Sequence, residues 1–181
     1  MKTFRKTIYL SIVCLAMVFV SCSSDDDNND DGGGGNNGGG EYFTAKVNGA
    51  DFAASTDFAT LIGGVKSTAN GINILTGQGS TNSGNFINFS IFEYNGPGTY
   101  ATGDSIQSVN GINYGELVNQ TTVNMWSSNL GSAAAGVNPG SITITVDADG
   151  IIEGTFSFDG YNGADMSTKN ITNGSFKYEV D

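Results

Sequence analysis

The chain is expected to fold as a single all-β domain, an antiparallel β-sandwich or partly closed barrel of about nine or ten short strands. Three observations lead there. Apolar and polar residues alternate with period two: Ile142, Ile144 and Val146 oppose Ser141, Thr143, Thr145 and Asp147, and Ile152, Phe156 and Phe158 oppose Glu153, Thr155 and Ser157. Asn or Asp precedes Gly eight times after residue 40, at Gly49, Gly71, Gly96, Gly111, Gly150, Gly160, Gly163 and Gly174. Each such pair accepts the positive φ that a two-residue type I′ turn requires. No window offers three helical turns free of Gly or a β-branched run. Twenty-seven glycines and only 14% charged residues exclude a helical bundle or coiled coil. Nine Phe, six Tyr and one Trp beyond residue 40 are ample for the core of one mid-sized domain.

The first element is an address. Lys2, Arg5 and Lys6 precede an uncharged apolar stretch over residues 8–20, so residues 1–21 read as a secretory signal too short to span a bilayer. Its end, Phe19-Val20-Ser21-Cys22, resembles the lipobox of bacterial lipoproteins. That resemblance implies a diacylglycerol thioether on Cys22, cleavage before it, and acylation of the new amine. Cys14 lies in the removed segment, so the mature chain holds one cysteine and no internal disulfide. Two or three acyl chains, at about 0.8 kcal/mol per buried methylene, make a durable membrane anchor.

The second element, residues 22–40, is a tether. Five aspartates and a Gly/Asn run bury nothing apolar, so disorder is expected. As a Gly-rich coil the eighteen residues after Cys22 span roughly 21 to 25 Å, with an extended limit near ~60 Å. The run Ser24-Asp25-Asp26-Asp27 resembles the acidic export signal of surface-exposed lipoproteins in Bacteroidota; its plainer reading is a self-repelling spacer. Together these features lead to an outer-membrane, lipid-anchored, surface-exposed location.

Residues 41–181 form the β domain. Strands are expected over about 42–47 and 50–55, divided by Asn48-Gly49, then 58–66 and 71–78, divided by Asn70-Gly71. The stretch 85–94 ends at Asn95-Gly96, and 106–110 meets 112–119 at Asn110-Gly111. Strands over 121–128, 141–147, 151–159 and 171–180 complete the set, with Asp149-Gly150 joining the strongest pair.

Thirteen acidic side chains against four lysines (Lys46, Lys66, Lys169, Lys177) leave this domain at −9. Nucleic acid and anionic lipid would be repelled. With no histidine in the chain, Ser-His-Asp and Cys-His relays and histidine-bearing zinc sites are excluded, and no cofactor is expected.

Val47-Asn48-Gly49 with Phe52, Gly98-Thr99-Tyr100, Gly140-Ser141-Ile142-Thr143-Ile144-Thr145, Gly154-Thr155-Phe156-Ser157-Phe158 and Ile171-Thr172-Asn173-Gly174-Ser175-Phe176 resemble, in their order, a family of Bacteroidota lipoproteins of unknown function. The likeness covers residues 42–180. It implies a β-rich fold and a surface location, and no catalytic residues.

Candidate sites each have a plainer reading. Asp147-Ala148-Asp149-Gly150 places two carboxylates as at the start of a calcium loop, but Ile151 and Ile152 add no side-chain oxygen, so a hairpin turn is favoured and Asp147→Asn should change little. Glu93, Asp104, Glu116, Glu153 and Asp159 are the acids available to a carboxylate-dependent glycosidase, though solubilising charges account for them equally. Trp126 with Tyr114, and more remotely Tyr94, Tyr100 and Tyr161, could stack on sugars beside the amides of Asn95, Asn113, Asn119, Asn124 and Asn162; Val123, Met125 and Leu117 nearby make a core role for Trp126 the commoner outcome. Asp104-Ser105-Ile106 resembles the acceptor for O-linked glycans in Bacteroidota, which would modify Ser105. The leading expectation is therefore a non-enzymatic, lipid-anchored surface domain binding an extracellular glycan or an envelope protein. A polysaccharide-active enzyme and a structural coat component are the alternatives.

Overall fold

Strand boundaries follow the alternation and the turns. The computed structural model describes residues 40–58, 61–103, 109–129 and 136–180. Among these lie β1 (Tyr42–Val47), β2 (Ala50–Ala53), β3 (Ile62–Ala69), β4 (Ile72–Ser80), β5 (Phe86–Phe92), β6 (Gly98–Ala101), β7 (Gly111–Asn119), β8 (Thr122–Ser127), β9 (Ser141–Ala148), β10 (Ile151–Asn162) and β11 (Ser167–Glu179). Three of the Asx-Gly pairs are the expected turns: Asn48-Gly49 (φ 49 and 84), Asn70-Gly71 (52 and 81) and Asp149-Gly150 (54 and 77) hold both central residues left-handed.

All pairings are antiparallel. The order β2-β1-β11-β10-β8-β7-β5-β4-β3 forms one curled sheet, a half-barrel, and β9 and β6 add to the other side of β10. The sheet thus forks at β10: residues 151–157 pair with β9, whereas Tyr161 pairs with Ser127 of β8. The fold class expected from the sequence is the one observed.

Curling brings β5 over β1 and β11. Phe89 stands 5.0 Å from Phe176, 6.4 Å from Phe43 and 6.5 Å from Tyr178, ring centre to ring centre. Phe43, Phe176, Tyr178, Ile87, Ile91, Ile112, Ile142 and Ile171 are fully buried between the two arms. Burying such an aromatic ring is large enough that truncating one to Ala costs about 3 to 5 kcal/mol. Glycines on the covering arm make room: a Cβ on Gly77 would lie 2.5 Å from the Phe89 ring, and one on Gly79 2.5 Å from Phe43. The Tyr178 hydroxyl then donates to the Thr76 carbonyl at 2.9 Å, stitching β11 to β4.

Three features depart from the expected strand set. β6 pairs with β9 although no strand was expected over Gly98–Ala101. β10 and β11 run longer than 151–159 and 171–180, because Asp159-Gly160 pairs with Asn170 and Lys169 inside the sheet instead of turning. Asn173-Gly174 is likewise internal; Asn173 takes φ 52 within a bulge of β11, where the register shifts against both β10 and β1.

Candidate functional site

The half-barrel has an open rim where β2, β7 and β11 end their inward faces. On β7, Ile112, Tyr114 and Glu116 share the inner face by period two, passing from buried ring to partly exposed carboxylate. On β11 the same rule puts Lys169 inward next to the buried Ile171. Two charged residues therefore occupy core-facing positions just where the core meets water.

Their surroundings settle what they do. Lys169 Nζ donates to Glu116 Oε1 and sits 4.3 Å from the Trp126 ring centre and 5.3 Å from that of Tyr114, a cation-π arrangement over two rings. The Tyr114 hydroxyl donates to the same Glu116 oxygen at 2.8 Å. Burial first, and then the Glu116 hydrogen bond and charge, push the Tyr114 phenol well above its ordinary range. Trp126 Nε1 donates to Ser167 Oγ at 2.8 Å, and Phe52 meets Tyr114 edge-on at 6.3 Å.

A cleft of about 490 Å³ opens over this cluster, with Phe52 and Tyr114 as apolar wall and Glu116, Lys169, Asn48, Asn85, Thr81 and Ser83 among its polar groups. That volume lies within the range of small-ligand sites. The polar atoms are pinned. Asn48 Oδ1 accepts from Asn170 N at 2.8 Å, Asn85 Oδ1 from Leu117 N at 3.2 Å, and Thr81 Oγ1 lies 2.8 Å from Ser83 Oγ. The cleft thus combines fixed polar groups with the edges of two rings.

The expected aromatic pair, Tyr114 and Trp126, is brought together directly: the two are cross-strand partners with ring centres 5.8 Å apart. Both are only 4% exposed, so the pair is the floor beneath Lys169 and presents no open ring face. Tyr94 and Tyr100 pack together elsewhere, tilted by 36° with ring centres 5.7 Å apart. The amides largely serve the fold: Asn119 Oδ1 caps a turn through Thr121 N (3.0 Å), Asn162 Oδ1 another through Ala164 N (2.9 Å), and Asn113 Nδ2 donates to Asn88 Oδ1 (3.0 Å). Sequence reasoning missed Lys169, because residues 167–170 read as loop. The signal available was its period-two relation to Ile171.

Among the acids, Glu153 pairs with Lys177 at 2.9 Å and Asp159 accepts from Asn170 Nδ2 at 2.5 Å, each on the outer sheet face. Glu93 follows the last residue of β5 and holds φ 54. Asp149 is the first residue of the β9–β10 turn. Asp147 is not the spare turn residue the sequence suggested: its Oδ1 accepts from Lys66 Nζ and its Oδ2 from the Tyr94 hydroxyl at 2.7 Å. Burial pushes its carboxyl up, and those two bonds more than reverse this, leaving it below the usual carboxylate value. Both oxygens thus have protein donors, and among the described residues no three Asp, Glu or Cys side chains gather as an ion site would need. Cys22, Ser24, Asp25, Asp26, Asp27, Asp104 and Ser105 lie outside the described residues.

No family model, curated protein or solved structure matches the chain.

Proposed function

We propose that the domain is a non-enzymatic binding module, held to the bacterial outer membrane through lipid on Cys22 and displayed at the cell surface, in the manner of the Bacteroidota lipoproteins its motifs resemble. The observation that carries the binding part is the rim cleft, where a salt-bridged Glu116–Lys169 pair and fixed amides and hydroxyls surround a buried aromatic floor. Such groups suit a ligand bearing hydroxyls and amides, of which an extracellular glycan terminus is the fitting class. Binding is favoured over hydrolysis because Glu116 is already engaged by Lys169 and Tyr114. The second carboxylate of the cleft, Asp51, is 85% exposed and paired with Lys46 at 2.6 Å, so no shielded acid-base couple is formed.

The chain's single Trp reports on this site, since Lys169 lies against its ring. Titrating the full lipidated chain in detergent with a glycan panel should shift Trp126 emission for the ligand class recognised. Lys169→Met should abolish that shift without lowering the melting temperature by more than a few degrees. A panel in which no glycan binds in a Lys169-dependent way would overturn the reading. Release of cleaved sugar, lost in Glu116→Gln, would replace binding with catalysis.

A further inference from the structure

The outer face of β1, β11, β10, β9 and β6 carries an uninterrupted row of small hydroxyl residues. Successive registers place Thr44 opposite Ser175, Ser175 opposite Thr155, Thr155 opposite Thr143, and Thr143 opposite Thr99. Five hydroxyls from five strands thus form one line, about 19 Å long at the usual strand spacing of about 4.8 Å. One rung further along the strands, Ser157 lies opposite Ser141, and Thr172 fills the same level of β11.

The middle of these rungs, Ser175, Thr155 and Thr143 with Ser141, Ser157 and Thr172, lines a shallow trough of about 520 Å³ together with Asn173 and Gly174, while Thr44 and Thr99 lie beyond its two ends. Longer side chains border it. On one side stand Tyr42, Lys177 and Glu153, directly opposite one another in register, and on the other Asn170 and Asp159. The lysines at its margins are already neutralised, Lys177 by Glu153 at 2.9 Å and Lys46 by Asp51 at 2.6 Å. No ionisable residue lines the trough itself, although the domain carries −9. Thr99 and Thr143 share a hydrogen bond at 3.0 Å, whereas Ser141, Thr155, Ser157 and Thr172 make no side-chain hydrogen bond within the described residues.

We infer that this trough is a second binding site, and that its occupant is an uncharged polysaccharide chain lying across the strands. Each floor hydroxyl both donates and accepts, which matches a ligand whose own hydroxyls do the same. A charged ligand would find no counter-charge there. An extended peptide binds a sheet by its open edge, and here the backbone groups of β9, β10 and β11 are engaged with neighbours on both sides. The site is separate from the rim cleft and does not depend on it.

Affinity electrophoresis of the full chain in detergent, through native gels containing laminarin, glucomannan or dextran as neutral probes and alginate as the anionic one, tests the inference. At least one neutral polymer should retard the protein, with little effect of added salt, and alginate should not. Thr155→Arg projects a long charged group into the trough from an exposed strand position and should weaken retardation at least tenfold. The milder pair Thr155→Val with Ser157→Ala, which keeps the shape and removes two hydroxyls, should weaken it several-fold. Retardation that is lost in Lys169→Met and kept in Thr155→Arg would place the polymer in the rim cleft and overturn the inference. Absence of retardation by all three neutral polymers overturns the inference, as does retardation that survives Thr155→Arg in a protein with unchanged melting temperature, or retardation confined to alginate.

Discussion

Asp147 links three elements through one carboxylate: its own β9, Lys66 of β3, and Tyr94 in the segment after β5. Because its folded pKa is depressed, its contribution to stability is complete above the unfolded value of about 3.9 and is lost as pH falls below it. Tyr94 runs the other way. Burial first, then Asp147, raise its phenol, so that contribution holds below about pH 10 and fades above it. Urea midpoints measured at pH 6, 4 and 3 should fall more steeply for the wild type than for Asp147→Asn, which starts lower. Parallel curves would mean that the carboxylate contributes nothing. Three residues on, Gly150 holds φ 77 with nothing nearer its missing Cβ than the Val180 carbonyl at 3.5 Å, so backbone strain dominates any substitution. Gly150→Val should cost roughly 1 kcal/mol or more, and millimolar calcium should leave the melting temperature of the wild type where it was. A calcium-induced rise that disappears in Asp147→Asn would restore the ion-site reading. At this scale the turn was legible in Asp149-Gly150, but the Lys66 and Tyr94 bonds were not. Those partners are 81 and 53 residues away, and no local pattern encodes them.

The elements were legible wherever period two and a two-residue turn coincided, as at β1–β2, β3–β4 and β9–β10. They were misread where the same dipeptide served packing. Asp159-Gly160 has the composition of a turn, yet a Cβ on Gly160 would lie 2.7 Å from the Trp126 Cβ. Glycine is there so that β8 can approach β10. Gly160→Ala should therefore destabilise by about 1 to 3 kcal/mol and shift Trp126 emission, as an overpacked site does. Gly63→Ala is the control: its β3 position is free of neighbours within 4 Å, and the change should be neutral or slightly stabilising. Equal effects in chemical denaturation would remove the packing explanation. β6 escaped notice for a different reason. Four residues with one inward ring, Tyr100, offer too short a stretch for alternation to show, and what holds the strand is its neighbour β9.

For the whole molecule, the all-β class could be read from composition and alternation, while the fork at β10 could not, since periodicity says which face a residue takes and not which strand lies beside it. The rim cleft shares that limit: Tyr114 and Trp126 stand out in the sequence, but their union with Lys169 and Phe52 depends on strand order. Anchoring and display are separable predictions at this scale. Cys22→Ala should abolish incorporation of labelled fatty acid and leave unprocessed precursor, and label persisting in that variant would rule out the lipobox reading. Replacing Asp25, Asp26 and Asp27 by Ala should keep the label but lose protease accessibility on intact cells. Unchanged surface shaving would reduce that run to a spacer.

The place of β11 has a consequence for how the chain comes into being. It comes last among the described strands along the chain, yet it lies between β1 and β10, and the first strand finds Lys177 opposite Tyr42 and Phe176 opposite Phe43. Until residues 167–179 have been made, β1 has only the short β2 beside it and Phe43 has no finished core to enter. Contacts of such long sequence separation form late and slowly. The local hairpins β3–β4 and β7–β8 need no such wait, so the half of the sheet built on them can form before the half that depends on β11.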